Sequence, residues 1–419
     1  MPQSVHGDRN RIRHNSVATN NNTPSPKLRV LYSFPHKLGA DRICYTAWQQ
    51  VNGLAAAGAD VLAFPGVLHK QVAPGVRVRP TLAWGKVRIS YKLFGSLRAC
   101  ALHDYIVSRR LERLAGQIDI IHTWPGGALR TLRAAKRLRI PTALERCNAH
   151  TRFAYEVVEK ECQRLGVTMP RGHEHAHKAD LLRREEEEFQ LASRLLCPSD
   201  FVMRTFLDRG FTQAQLARHQ YGYDETVYYP DNKSGNGRDG LTMLFVGGCA
   251  PRKGLHYALE AWLRSRACES GKFLIAGNFI PGYAEKLTSM LAHPSVCRLG
   301  HRNDVPELMR KSDTLVLPSI EEGSALVTME ARGSGCVLLV SEAAGAICKH
   351  MEDALVHRVG DVASLSAHIT LLHEDRALLG KLRVNSANTV AGITWTAAGR
   401  KLFGVYLDII SSSRTEAHS

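Results

Sequence analysis

The chain has 419 residues, 44% of them hydrophobic and 22% charged. That length is too great for one ordinary core and predicts two domains, while the composition is that of a soluble globular protein. No apolar run reaches the roughly 18–20 residues of a membrane span, and ten cysteines without a CxxC pair fit scattered reduced thiols of a cytoplasmic protein better than a disulfide framework or a zinc site.

The net charge of +16 is unevenly placed. Residues 1–27 carry four Lys/Arg against one acid, residues 28–222 carry 30 against 17, and residues 223–419 carry 21 against 21. Between Lys86 and Arg139 twelve basic residues face three acidic ones, a one-sided field that bears on partners rather than on fold. No helix-turn-helix, RNA-binding signature or basic–aromatic interleaving accompanies it, so nucleic acid is not the expected partner.

In chain order, residues 1–27 lack an apolar signal-peptide core and read as a disordered basic tail. The run "KLRVLYSF" (27–34) predicts a strand, followed by a loop holding Gly39 and the amphipathic "YTAWQQVNGLAAAG". "ADVLAF", a long helical stretch, "IDIIHTW", a further helix, "IPTALER" and "SRLLCPS" continue the alternation, which predicts an α/β domain with a parallel sheet over 28–222. The polar, glycine-rich "DNKSGNGRDG" closes a linker assigned to 223–240. The alternation restarts with "LTMLFVGG", "GLHYALEAWLRSRAC", "KFLIAGN", "TLVLPS" and "GCVLLVS", giving a second domain over 241–394, and a last helix is expected over 395–412, packing back toward the N-terminal domain.

The chemistry concentrates in "EEGSALVTMEARGSG" (321–335). Glu322 and Glu330 stand eight positions apart after a strand, where a parallel sheet places its ligands. A helix opening there presents unpaired N–H groups to a phosphate, Gly323 permits close backbone approach, and each carboxylate suits a pair of vicinal hydroxyls. From spacing alone Glu330 reads equally as a surface residue and Glu322 as a favourable first-turn charge. "VGGCAPRKGLHYALEAW" adds Arg252 and Lys253 in a loop at another strand end, where cations suit a departing diphosphate. Together the two segments point to a nucleotide-sugar site.

These segments resemble those of the retaining glycosyltransferases of family 4, which have the GT-B fold of two Rossmann-like domains facing a cleft. "LPSIEEGSALVTMEARGSGCVLLVS" is similar to that family's Glu-x7-Glu signature, "LFVGGCAPRKGLHYALEAW" to its phosphate loop and "RHQYGYDETVYYP" to its Gly-x-Asp segment. The resemblance spans nearly all of residues 28–410. It implies a nucleotide-diphosphate sugar donor, no metal, no cofactor and retention of anomeric configuration. It implies that Glu330 binds ribose hydroxyls and Glu322 the donor sugar, with Gly39, Gly247, Gly323, Leu326 and Val327 lining the donor. Two departures stand out: Gly248 occupies the place of the family's arginine, with Arg252 beside the retained Lys253 as its expected substitute, and Gly39 stands alone where the family often has two glycines. The resemblance also implies a catalytic histidine after "IPTALER", for which His150 is the candidate and His122 the competitor. The alternating histidines of "HEHAHK" carry a metal alternative without a fourth ligand.

Two functions follow. The first is a retaining glycosyltransferase with a glycan or lipid-linked acceptor in surface polysaccharide or glycolipid synthesis, cytoplasmic and peripheral on the inner membrane face. The second is a non-catalytic relative that binds a nucleotide sugar or glycan. Residues 86–113 bear on the acceptor: Ile89, Leu93, Phe94, Leu97, Ala101 and Leu102 with seven interspersed cations predict an amphipathic region for an anionic leaflet, or else an ordinary core helix with a basic outer face.

Overall fold

The computed structural model describes residues 27–85, 87–89, 95–170, 172–173, 175–231 and 240–416. The basic tail, most of the glycine-rich linker stretch, and Leu93 and Phe94 lie outside the described residues.

Both domains are built on parallel sheets. In the first, β1 (Arg29–Leu38), β2 (Asp60–Leu68) and β3 (Arg77–Val78) precede a two-stranded antiparallel hairpin, β4 (Ala83–Trp84) and β5 (Val87–Arg88). The sheet then takes β6 (Ile120–Thr123), β7 (Thr142–Glu145), β8 (Arg194–Cys197) and β9 (Leu216–Arg218), in the order β3-β2-β1-β6-β7-β8-β9. The second sheet has β10 (Thr242–Val246), β11 (Lys272–Ala276), β12 (Val296–Gly300), β13 (Thr314–Leu317), β14 (Val337–Ser341) and β15 (Ala354–His357), in the order β12-β11-β10-β13-β14-β15. Strands such as β13 and β14 are buried along their whole length, which is why they read as unbroken apolar runs rather than alternating ones. In each sheet the strand order reverses beside the first strand, β1 or β10, and the crevice at that reversal is where open parallel sheets bind ligands.

The second core is nearly self-contained, from Leu241 to Leu382 with Val167 added. The first is not: Leu402, Tyr406, Ile409 and Ile410 of the C-terminal helix Trp395–Glu416 complete it. That helix crosses Ile43–Ala56 so closely that a Cβ on Gly399 would lie 2.6 Å from the Gly53 Cα. Glycine at the crossing removes the side chains that would hold two helices 8–10 Å apart.

The helix Ser96–Leu114 covers most of the basic region 86–113. Its apolar face, with Ala99, Cys100, Val107 and Leu111, is buried in the domain, and its exposed face carries Arg98, Arg109 and Arg113. It is a packed helix with a basic outer surface, and of the described members of the expected apolar set Leu97 alone is well exposed, at 41%.

Candidate active site

Two loops at strand ends form the centre. After β10 comes Gly247, then the single turn Pro251–Lys253 ending in Gly254 at φ 68°. A Cβ on Gly254 would lie 2.0 Å from the Pro318 carbonyl oxygen, so only glycine lets this turn rest against the loop that follows β13. Across that contact Arg252 meets both acids: its Nε donates to Glu321 at 2.7 Å, and Nη1 and Nη2 donate to the two Glu322 oxygens at 3.2 and 3.0 Å. Lys253 pairs with the same Glu322 carboxylate. Burial pushes the Glu322 carboxyl up, but Arg252 and Lys253 outweigh it and hold the group below the ordinary carboxylate range; His175 adds a smaller pull in the same direction. One histidine of the alternating triplet therefore stands within electrostatic reach of this acid. Among the described residues no group of His, Cys, Asp and Glu is placed to hold a metal.

The N-terminal domain closes on this centre through the loops after β7 and β8. Ala149 N–H donates to Glu321 at 3.0 Å, and Ser199 Oγ donates to the Gly323 carbonyl at 2.5 Å. A Cβ on Gly323 would sit 1.7 Å from the Cys147 carbonyl oxygen. The close approach that Gly323 permits is therefore to backbone of the other domain, a role its position beside a phosphate helix did not predict.

Glu330 lies on the helix Leu326–Gly333, half-buried beside a cavity of about 510 Å³. Gly39, Arg42, Tyr45 and Lys70 line this cavity from the first domain, and Leu326 and Glu330 from the second. Burial raises the Glu330 carboxyl to about 7, against a Tyr228 hydrogen bond that lowers it. Gly39, at φ 88°, sits where a Cβ would come within 2.4 Å of the Lys70 Cβ. Gly247 and Val327 fall on the same strand-end and helix-start elements.

The two histidine candidates stand elsewhere. His150 caps the helix Thr151–Leu165, accepting the Arg152 N–H at Nδ1, and its ring packs on Phe189 and Phe206 at centroid distances of 5.4 and 5.0 Å. Burial first, then Arg146, lowers it to about 3, so the ring is neutral and its contacts are those of a capping residue. His122 is fully buried, stacked on Tyr32 and joined to Tyr406 of the C-terminal helix at 2.6 Å. Burial lowers it to about 3 as well. The structure thus places His150 as a helix cap and His122 in the domain core.

Sequence reasoning passed over Glu321, Ser199 and Asn148, whose Oδ1 accepts from Arg252 Nη2 at 3.5 Å. Only the doubled acid in "IEEG" marked any of them. A further pair joins the domains away from the centre: Glu161 on Thr151–Leu165 accepts from His256 Nε2 at 2.7 Å, at the start of the helix Leu255–Arg264.

Residues 240–375 match the family model described as Glycosyl transferases group 1. The chain is 27% identical over 191 residues to UDP-Gal:alpha-D-GlcNAc-diphosphoundecaprenol alpha-1,3-galactosyltransferase of Escherichia coli, a match covering 41% of this chain and 47% of that protein. It is 36% identical over 95 residues to N,N'-diacetylbacillosaminyl-diphospho-undecaprenol alpha-1,3-N-acetylgalactosaminyltransferase of Campylobacter jejuni, covering 22% of this chain and 24% of that one. The chain thus spans about half or less of the length of these curated relatives. Sucrose-phosphate synthase from Thermosynechococcus elongatus superposes with a TM-score of 0.64 at 19% identity, over 92% of this chain and 100% of that one. Anabaena HepE in complex with UDP does so with a TM-score of 0.60 at 15% identity over the same shares. Fold and family model agree: the chain has the GT-B architecture, and the stretch that matches the group 1 family model lies in its C-terminal domain.

Proposed function

We propose that the chain is a retaining, metal-independent glycosyltransferase that moves a sugar from a nucleotide-diphosphate sugar to a lipid-linked or glycan acceptor in surface polysaccharide or glycolipid synthesis. The observation that carries this reading is the placement of Glu322 and Glu330. One is buried between Arg252 and Lys253 and the other lies beside a cavity that both domains line, within the size range of small-ligand sites.

In this reading Glu330 accepts the ribose hydroxyls and Glu322 those of the sugar. Lys253 and the first amides of Leu326–Gly333 receive the charge that builds on the diphosphate as its bond to the sugar breaks. The acceptor oxygen bonds to the same anomeric carbon on the face being vacated, and its proton passes to the departing diphosphate. The acceptor class rests on the relatives, whose names specify diphospho-undecaprenol carriers. It fits the first domain's outer surface, where Arg98, Arg109, Arg113, Arg130 and Arg133 are exposed with Trp84 and Tyr105. Since the apolar face of Ser96–Leu114 is buried, contact with an anionic leaflet would rest on charge and interfacial aromatics.

A second reading, a donor-binding protein without turnover, is favoured by the exposed Gly248 where the resemblance places an arginine. A panel of nucleotide sugars separates the two. A donor stabilises the fold by mass action, and only an enzyme releases nucleoside diphosphate with an acceptor present. Retention is read from the anomeric configuration of the product, and metal independence from turnover in EDTA. Stabilisation without turnover on any acceptor supports the second reading, and no stabilisation by any nucleotide sugar overturns both. Co-sedimentation with vesicles tests the surface: binding should require anionic lipid and fall at high salt.

A further inference from the structure

We propose that Glu321 is a positioning residue that couples the meeting of the two domains to the orientation of Arg252 and, through that guanidinium, of Glu322. Glu321 is fully buried and holds one group from each domain. Its Oε2 accepts from Arg252 Nε at 2.7 Å and its Oε1 from the Ala149 N–H at 3.0 Å. The tie forms only with the domains fully together, because Gly323, two residues on, is pressed against the Cys147 carbonyl.

Arg252 is placed by this acid. With Nε on Glu321, its two terminal nitrogens form a fork on Glu322 at 3.2 and 3.0 Å, the geometry that fixes a carboxylate in one plane. The charges also balance: Arg252 and Lys253 face Glu321 and Glu322. This pair of cations thus offers no net positive excess to a diphosphate, and Arg252 does not stand in for the arginine absent at Gly248. It braces Glu322, and Lys253 is the cation left to face the leaving group. The part that Glu322 plays in transfer rests on the proposed function; the tie between Glu321 and Ala149 does not.

The test has two arms. Amide hydrogen exchange of the Ala149 N–H should accelerate at least tenfold in Glu321→Ala and remain near wild type in Glu321→Gln, whose amide oxygen still accepts. With the donor found in the nucleotide-sugar panel, Glu321→Gln and Arg252→Lys should each lower kcat at least tenfold, while donor KM and the Kd for UDP or GDP stay within about threefold. The double variant should be no more than about threefold worse than the poorer single one, as expected of residues acting as a unit. Unchanged Ala149 exchange in Glu321→Ala overturns the tie. Turnover within twofold of wild type in Glu321→Gln, or a tenfold loss of nucleoside diphosphate affinity in Arg252→Lys, overturns the positioning role. Should Glu321→Ala fail to fold, slow Ala149 exchange in Glu321→Gln together with fast exchange in Glu321→Met, which matches its length but offers no oxygen acceptor, decides the tie. If wild type binds no nucleotide, the proposed function falls and the exchange arm alone decides the inference.

Discussion

Glu330 is raised to about 7, so it ionises across the physiological range. A carboxyl raised above its unfolded value supports the fold below about 4.5 and loses that support as pH rises through 7. Glu330→Gln, neutral throughout, should therefore gain in melting temperature relative to wild type between pH 5 and 8, measured by thermal denaturation. Binding should run the other way. The ionised carboxylate is the better acceptor for ribose hydroxyls, and ionisation grows about tenfold between pH 6 and 8 for a group at 7. Nucleoside diphosphate affinity by calorimetry should thus rise with pH in wild type by up to about tenfold more than in Glu330→Gln. Equal pH profiles would remove the ribose role. At Lys253, replacement by Ala should lower turnover more than donor affinity, because the charge it meets develops in the transition state. The spacing of Glu322 and Glu330 could be read directly from the chain. The role of Glu321 could not: two adjacent acids in a loop look alike, and what separates them is a backbone N–H 172 positions away.

Among elements, two glycines that look equivalent in the sequence should behave oppositely. Gly323→Ala drives a methyl into the Cys147 carbonyl at 1.7 Å, an overlap of backbone with backbone that costs about 1–3 kcal/mol or parts the domains. The melting temperature should fall, and turnover should fall at least a hundredfold. At Gly248 a Cβ meets nothing within 4 Å. Gly248→Arg should leave the melting temperature within about 2 °C and tighten nucleoside diphosphate binding about three- to tenfold, by restoring a cation with charge-assisted donors. Calorimetry and thermal denaturation on the two variants check both outcomes. The inner strands were legible because buried parallel strands are unbroken apolar runs bounded by glycine and proline, whereas the edge strands β3, β9, β12 and β15, short or broken by partly exposed positions, were not. The setting of the two histidines was not legible, because a position near a strand end does not say which way a ring turns: His150 faces Phe189 and Phe206, and His122 faces Tyr32.

At the scale of the whole molecule, the seam between the domains carries its own titration. His256 donates from Nε2 to Glu161, which can only accept, so its Nδ1 accepts from the Tyr283 hydroxyl at 2.7 Å. Burial pushes the Glu161 carboxyl up, and hydrogen bonds from His256, Arg164 and Tyr257 outweigh it and hold it at about 2. Burial lowers His256, against Glu161. Both folded values lie below the unfolded ones, so both contributions are lost on acidification, from His256 below about 6.5 and from Glu161 below about 4.5. Wild type should lose more melting temperature than His256→Gln between pH 7 and 5.5, and equal losses would exclude His256 as the source.

The crossing of the first and last helices also has a consequence for synthesis. Chains usually fold domain by domain from the N-terminus as they leave the ribosome. Here the sheet made first lacks Leu402, Tyr406, Ile409 and Ile410 until the helix Trp395–Glu416 has been made, side chains whose burial is worth about 1.5–3 kcal/mol each. The domain made second has nearly all its own core by Leu382. The order of folding is therefore the reverse of the order of synthesis. A free chain truncated after residue 394 should show a protease-resistant C-terminal domain beside a labile N-terminal one, and restoring residues 395–416 should protect both.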